Sequence, residues 1–231
     1  MADELSGRVS ESHGTRPRPT YLRTSVANRL SVPATVLAAY KANKDFQEAL
    51  AGGGVTPALM DGLAALLETA VTAEDARAAA AQAAGVASEA LKAAVEGAET
   101  AFVEVSKRGV AAGKRDPAVR AALDVGRRAK SRPQRLLQMR QYLNAADGQR
   151  AALDGYGLTD AHVEAARATL GAAEEAAKAW ATLDKVAEDA TRLRTGAMEP
   201  LDAAMRDLQE RGRAGASDRP DFLELLGLPP G

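Results

Sequence analysis

Apolar residues along most of this chain recur every three or four positions, a spacing that predicts α-helices rather than strands. The stripe is clearest from 63 to 105, where the apolar residues are mainly alanine and follow coiled-coil spacing. Shorter helices are predicted at about 33–51 and 133–153, each followed by a glycine-rich turn, GGGVT or GYGLT. Thr56 and Thr159 end these turns and are expected to cap the long helices that follow.

Two places in the predicted long helices are candidates for a break. The sequence TAED at 72–75 has the form of a capping box, and Arg77 interrupts the apolar stripe beside it. Pro200 lies inside the second long helix and lacks the amide proton that a helix interior requires. The pattern leaves two arrangements open: long continuous helices, or a more compact bundle in which each long helix is split in two.

The chain resembles itself at an offset of 103 residues. Held without a gap, this offset pairs 49–125 with 152–228 and gives 22 identical positions out of 77. Twelve of these are Ala on Ala and carry little weight, but the other ten include glycines and prolines at segment ends. We interpret the pattern as an internal duplication with repeats over 31–130 and 131–231, after a disordered or flexible tail over 1–30. Both repeats are expected to form one elongated antiparallel bundle.

Composition supports an all-α fold. The chain has 53 alanines and only 3% aromatic residues, which favours helices that pack closely. Arginine outnumbers lysine by 22 to 8, a bias typical of a GC-rich bacterial genome. The absence of cysteine excludes disulfides, thiolate metal sites and cysteine nucleophiles. We find neither an apolar run of membrane-spanning length nor a secretory signal, so a cytoplasmic location is expected.

Charge is distributed unevenly. Eleven basic residues and only two acidic ones lie between 107 and 140, giving that segment +9, whereas 61–104 carries −6 and the whole chain −1. The segment is a candidate patch for nucleic acid or another polyanion. Two alternatives compete with this interpretation: a solvated connector, or a segment that complements the acidic helices. The candidate patch residues are Lys107, Arg108, Lys114, Arg115, Arg127, Arg128, Lys130, Arg132 and Arg135.

Catalytic chemistry is sparse in this sequence. The two histidines are His13, in the polar tail, and His162, whose place in the first repeat is taken by Leu59. Acidic pairs at 96/99 and 199/202 raise the possibility of a divalent-cation site, but solvated helix surface is the favoured interpretation. No nucleotide, metalloprotease or nucleophile-elbow motif occurs. We therefore predict no catalytic residues, no metal, no cofactor and no small-molecule substrate.

The C-terminal FLELLGLPPG is a second candidate interaction segment because its apolar residues are bulky for this chain. Its counterpart in the first repeat lies at 119–125, which favours a short helix that caps its own bundle. The sequence therefore predicts a non-enzymatic structural, scaffolding or protein-interaction bundle that binds a protein partner or itself. A nucleic-acid- or polyanion-associated protein using 107–140 is the alternative. The candidate docking residues are Phe222, Leu223, Leu225, Leu226 and Leu228.

Overall fold

The computed structural model describes residues 25–124 and 129–229, and all regular secondary structure in these two ranges is helical. The all-α class predicted from apolar spacing is confirmed. The helices are α1 (Val26–Ala42), α2 (Lys44–Gly52), α3 (Pro57–Gly113), α4 (Pro117–Ala122), α5 (Arg132–Gly148), α6 (Arg150–Asp154), α7 (Asp160–Gly215) and α8 (Pro220–Leu225).

The two long helices are continuous, so neither anticipated break occurs and the split-helix arrangement is wrong. In α3, Glu74 accepts hydrogen bonds from Arg77 one turn later, with Nη2 at 2.8 Å from Oε1, so TAED forms an intrahelical ion pair rather than a cap. In α7, Pro200 faces the carbonyl of Gly196, four residues earlier. Both residues are exposed, so water can solvate the carbonyl that proline leaves without a partner.

Helix α1 starts earlier than predicted. Ser25 caps it, with Oγ accepting from the amide of Asn28 at 3.4 Å, and Pro33 lies inside the helix instead of at its start. Of the predicted tail, residues 1–24 lie outside the described residues, whereas 26–30 are helical. The predicted start at about 33 was wrong because Ser25, eight residues earlier, supplies the cap and Pro33 is accommodated inside the helix.

Each predicted short helix is in fact a pair. Asn43 separates α1 from α2, and its Oδ1 accepts a hydrogen bond from the amide of Phe46 at 3.1 Å, which caps α2. Gln149 similarly separates α5 from α6. An asparagine side chain competes with the helical backbone for amide protons, and this explains the break at position 43.

The helices pack into two compact units, each with residues from both predicted repeats. The terminal unit consists of residues 25–73 and 194–229, and the central unit of residues 74–193, in which 125–128 are not described. The repeat boundary predicted between 130 and 131 therefore lies inside the central unit.

The core of the terminal unit contains an aromatic pair that joins α2 to α8. The rings of Phe46 and Phe222 meet edge to face, with centroids 5.1 Å apart, and both side chains are fully buried. Leu50 and Leu226 pack against Gly212 of α7, in space that any larger residue at 212 would occupy. These contacts bury the largest apolar side chains of the unit.

The end of α7 lies beside the turn that precedes α3. Nη1 of Arg211 donates to the carbonyl of Gly54 at 3.1 Å. The backbones of Gly215 and Gly53 are so close that a Cβ on either residue would collide with backbone atoms. Gly54 has a φ of +82°, which favours glycine at this position.

The core of the central unit is built around Tyr142 of α5. Its ring meets Phe102 of α3 edge to face, with centroids 5.1 Å apart. Its hydroxyl and the side chain of Leu123 lie against Gly109, where a Cβ would collide with both. Arg108 fixes the turn before α7, since its Nε donates to the carbonyl of Gly157 at 3.1 Å.

None of the helices in the described residues is by itself both long and apolar enough to cross a membrane. The pair α2 and α3 passes that test by length and composition only when the two helices are taken together, and they are bent by 107° at the break between them.

Replacing two helical glycines of α7 by alanine should have opposite effects on stability. Gly212→Ala should destabilise the protein by about 1–3 kcal/mol because the new methyl group displaces Leu226 and Leu50 in a packed core. Gly196→Ala should stabilise it by about 0.5–1 kcal/mol, since nothing lies within 4 Å of the added Cβ and alanine has the higher helix propensity. Urea unfolding of the two variants checks both signs, and equal effects would contradict the packing described here.

Candidate functional site

Two adjoining cavities in the central unit form a groove beside Tyr142, which we call the Tyr142 groove. Their volumes are about 400 Å³ and about 510 Å³. Leu123, Asp124 and Tyr142 line both cavities. Asp124 marks the edge of the described structure there, because residues 125–128 lie outside the described residues.

One face of α3 forms a wall of the groove. Phe102, Val103 and Ser106 line the first cavity, and Val110 and Lys114 line the second. From Val103 onward these positions are three or four residues apart, so they share one side of the helix. The side chains of Val103 and Val110 are 43% and 59% exposed, which leaves apolar surface beside both cavities.

Helices α4 and α5 form the opposite wall. Leu123, Met139 and Tyr142 supply a buried apolar floor. Arg135 crosses to α3, where its Nη1 donates to Oε1 of Glu99 at 2.7 Å. Arg120, which the sequence analysis did not include in the patch, is exposed and lines the second cavity.

Three of the predicted patch residues are held in ion pairs or hydrogen bonds. Nζ of Lys107 lies 3.0 Å from Oε1 of Glu104, and Nη1 of Arg108 lies 3.1 Å from Oε2 of the same glutamate. These hydrogen bonds, from Lys107 first and Arg108 second, lower the pKa of the Glu104 carboxyl below its ordinary value. Arg135 is paired with Glu99 in the same way.

Four other patch residues are exposed and form no ion pair within the described residues: Lys114, Arg115, Lys130 and Arg132. Arg120 shares this property. The nearby Asp116 forms no ion pair with them within the described residues; its Oδ1 caps α4 by accepting from the amide of Ala118 at 2.8 Å. Arg127 and Arg128 lie outside the described residues. Lys114 and Arg120 therefore line the second cavity without an ion-pair partner within the described residues, and the carboxylate of Asp124 lines both cavities.

The corresponding region of the terminal unit is closed. Leu223 stands 103 residues after Arg120 and is buried in the core. Gln209 stands 103 residues after Ser106, and its Nε2 donates to the carbonyl of Leu226 at 2.8 Å. Helix α1 packs directly on α8 there, with Val32 against Gly227.

The C-terminal docking candidates belong to this closed core. Phe222, Leu223, Leu226 and Leu228 are buried, and Leu225 is half-buried against the same cluster. They are part of the packing of the terminal unit and offer no free docking surface. The central unit has an exposed arginine at position 120, whereas the residue 103 positions later, Leu223, is buried in the terminal unit.

One carboxylate in each acidic pair considered for a cation is bound by arginine. Glu99 binds Arg135 in the central unit, and Asp202 binds Arg29 in the terminal unit. Within the described residues, no group of three or more histidine, aspartate or glutamate side chains is arranged to hold a metal.

His162 has a role that the sequence analysis did not identify. Its Nδ1 lies 3.2 Å from the backbone nitrogen of Thr159, which donates to it, and 2.8 Å from Oγ1 of that threonine. Histidine thus takes the place of glutamate in a capping box at the start of α7. The spacing Thr-x-x-His was the available signal.

Comparison with protein-family models, curated proteins and solved structures gives no match to this chain. Functional inference therefore starts from the Tyr142 groove and its charged surroundings.

Ionisation of Tyr142 should make the protein less stable at alkaline pH. Burial raises the pKa of its phenol above the ordinary value, so the unfolded chain ionises first as pH rises. The stability contributed by the neutral phenol is complete below the unfolded pKa of about 10 and is lost as pH approaches the folded pKa. Tyr142→Phe should lose less stability than the native protein between pH 9 and 11, measured by urea midpoints. Parallel losses in both proteins would contradict the assignment.

Proposed function

We propose that this protein is a non-enzymatic, cytoplasmic helical subunit that binds a protein partner through the Tyr142 groove, in a scaffolding or assembly role. The observation that carries the proposal is the open groove itself. Two cavities meet beside exposed Val103 and Val110.

Physical reasoning supports a protein partner. When another molecule covers apolar surface beside a cavity, the free energy of the complex falls by about 25 cal/mol for each Å² removed from water. Three carboxylates near the groove are engaged in structural contacts: Glu99 and Glu104 bind arginine or lysine, and Asp116 caps α4. Asp124, which lines both cavities, is not free either. This arrangement suits recognition better than acid–base chemistry, which requires a carboxylate free to exchange a proton.

We also propose that the chain arose by duplication of a unit of 103 residues. The turns before the long helices support this, since Gly54 and Gly157 both have positive φ, +82° and +73°. Arg211 and Arg108, which are also 103 apart, donate to the carbonyls of these two glycines. Helices α4 and α8 start at prolines separated by the same offset.

Coiled-coil packing of the long helices is part of the same proposal. Between 74 and 90 of α3, no residue is fully buried. Half-buried positions there include Arg77, Ala80, Ala84 and Ala87, spaced three or four apart. This pattern is typical of a helix that buries a narrow stripe against one neighbour.

Site-specific photo-cross-linking tests the protein-binding role. A photoreactive amino acid replacing Val103 or Val110 should yield one defined protein adduct in cells of the source organism, because both side chains border the groove. Val86 is the matched control, since it is 67% exposed and lies on the same helix away from the cavities. Mass spectrometry identifies the adduct, and titration of the purified partner checks saturable binding to the full chain.

The role is contradicted by equal adducts at all three positions or by none at Val103 and Val110. A partner whose affinity is unchanged in a Val110→Glu variant would contradict it as well, because a carboxylate at this position places a charge on the apolar wall.

A polyanion-binding role is the second candidate, favoured by the exposed cations that have no ion-pair partner within the described residues. Replacing Lys114, Arg115, Lys130 and Arg132 by Ala should abolish any binding of single-stranded or duplex oligonucleotides that weakens steeply with salt. The matched control replaces Lys41 and Lys44, two exposed lysines of the terminal unit. Native protein that shifts no oligonucleotide in a gel at low salt would rule this role out.

A further inference from the structure

We propose that the occupant of the Tyr142 groove is an acidic amphipathic α-helix of the partner protein. This inference rests on the proposed function and adds the chemistry of what the groove binds. It follows from the length of the groove, the apolar surface within it and the charge around it.

The length of the groove suits a short helix. The lining residues of α3 extend from Glu99 to Lys114, fifteen residues along one helix. At 1.5 Å per residue this wall is about 22 Å long, which corresponds to about four turns of a partner helix. A helix satisfies its own backbone hydrogen bonds, so it can enter an apolar groove without leaving unpaired amides.

The apolar surface forms a line that such a helix can cover. Val103 and Val110 are seven residues apart and stand two turns from each other along the rim. Leu123 and Tyr142 lie between them as the shared floor of both cavities. Partner side chains spaced i, i+3 or i+4, and i+7 meet surface of this periodicity.

The charges around the groove select for acidic residues. Lys114 and Arg120 line one end of the groove, and exposed Arg115 follows Lys114 in the chain. Exposed Lys130 and Arg132 precede Arg135 in the chain, and the carbonyl of Lys130 accepts from Nη2 of Arg135 at 3.3 Å. The carboxylates that line the groove are Asp124, in both cavities, and Glu99, which is paired with Arg135. No ion pair within the described residues neutralises the five exposed basic side chains. Carboxylates flanking the apolar residues of a partner helix would complement them, raising the association rate and excluding basic competitors.

The groove floor favours a helix over a single-stranded nucleic acid. Non-specific single-strand binders stack bases on exposed aromatic faces. Tyr142 is only 6% exposed, and its ring is engaged edge to face with Phe102. The groove therefore offers aliphatic contacts and peripheral cations rather than a stacking platform.

A displayed peptide library tests the inference with the full chain as target. The library consists of helices of about 16 residues in which each position is Leu, Glu, Lys or Gln. Selection on the native protein should enrich net-acidic sequences with Leu at i, i+3 or i+4, and i+7. Synthetic versions of the enriched peptides, measured by fluorescence anisotropy, should bind at least about tenfold more weakly to a Lys114→Glu/Arg120→Glu variant and more weakly at high salt. Both substituted side chains are exposed, and circular dichroism checks that the variant folds.

The control variant carries Lys41→Glu and Lys44→Glu, which change charge equally in the terminal unit and should leave peptide affinity unchanged. Enrichment of basic or neutral helices whose binding depends on Val110 would overturn the acidic partner while leaving the groove as a protein-binding site. If no enriched peptide depends on any groove residue, the inference is wrong; absence of cross-linked adducts at Val103 and Val110 would then remove the proposed function too.

Discussion

In each unit, a glycine in a long helix leaves space in which large side chains from other parts of the unit pack. Gly212 receives Leu226 and Leu50 in the terminal unit, and Gly109 receives Tyr142 and Leu123 in the central unit. A methyl group at either position would collide with these side chains, so the helices that carry them could not pack as closely. A helix interior normally disfavours glycine by about 1 kcal/mol relative to alanine, and the packing offsets this cost. The contacts at Gly212 and Gly109 thus help to position the neighbouring short helices.

Different side chains surround these two glycines. Leu223 is buried in the core of the terminal unit, whereas Arg120, which stands 103 residues earlier, is exposed and lines a cavity of the central unit. Burying an arginine without a partner costs several kcal/mol, so Arg120 remains exposed and Arg135 is buried only in part, where Glu99 pairs with it.

The sequence predicted the helical class, the long helices and the glycine turns because each has a local signal: apolar spacing, alanine content, or glycine followed by a capping threonine. It did not predict the groove. Glycine occurs in a turn at position 54, in a packing contact at 212 and on an open helix surface at 196. The residue type is identical, so only the surrounding structure distinguishes the three roles. The basic cluster could be identified from the sequence, but the sequence does not show which of its side chains form ion pairs. Lys107, Arg108 and Arg135 form ion pairs in the structure, whereas Lys114 and Arg132 form none within the described residues. The helix boundary at Pro33 was wrong for a related reason, because the cap at Ser25 and not the proline sets the start.

The groove also has a thermodynamic consequence for the central unit. Exposed Val103 and Val110 and the unpaired cations contribute little to folding, and the like charges repel one another. Natural proteins generally keep such local costs where another molecule relieves them, since binding to the folded state alone stabilises it by RT ln(1 + [L]/Kd). A ligand that covers the apolar wall and neutralises the rim would act on both costs at once. The terminal unit has less apolar surface to cover near Leu223, because Leu223 and Leu226 are already buried there and Nε2 of Gln209 donates to the carbonyl of Leu226. The terminal unit therefore shows, within the same chain, the kind of packing that the central unit lacks beside its groove.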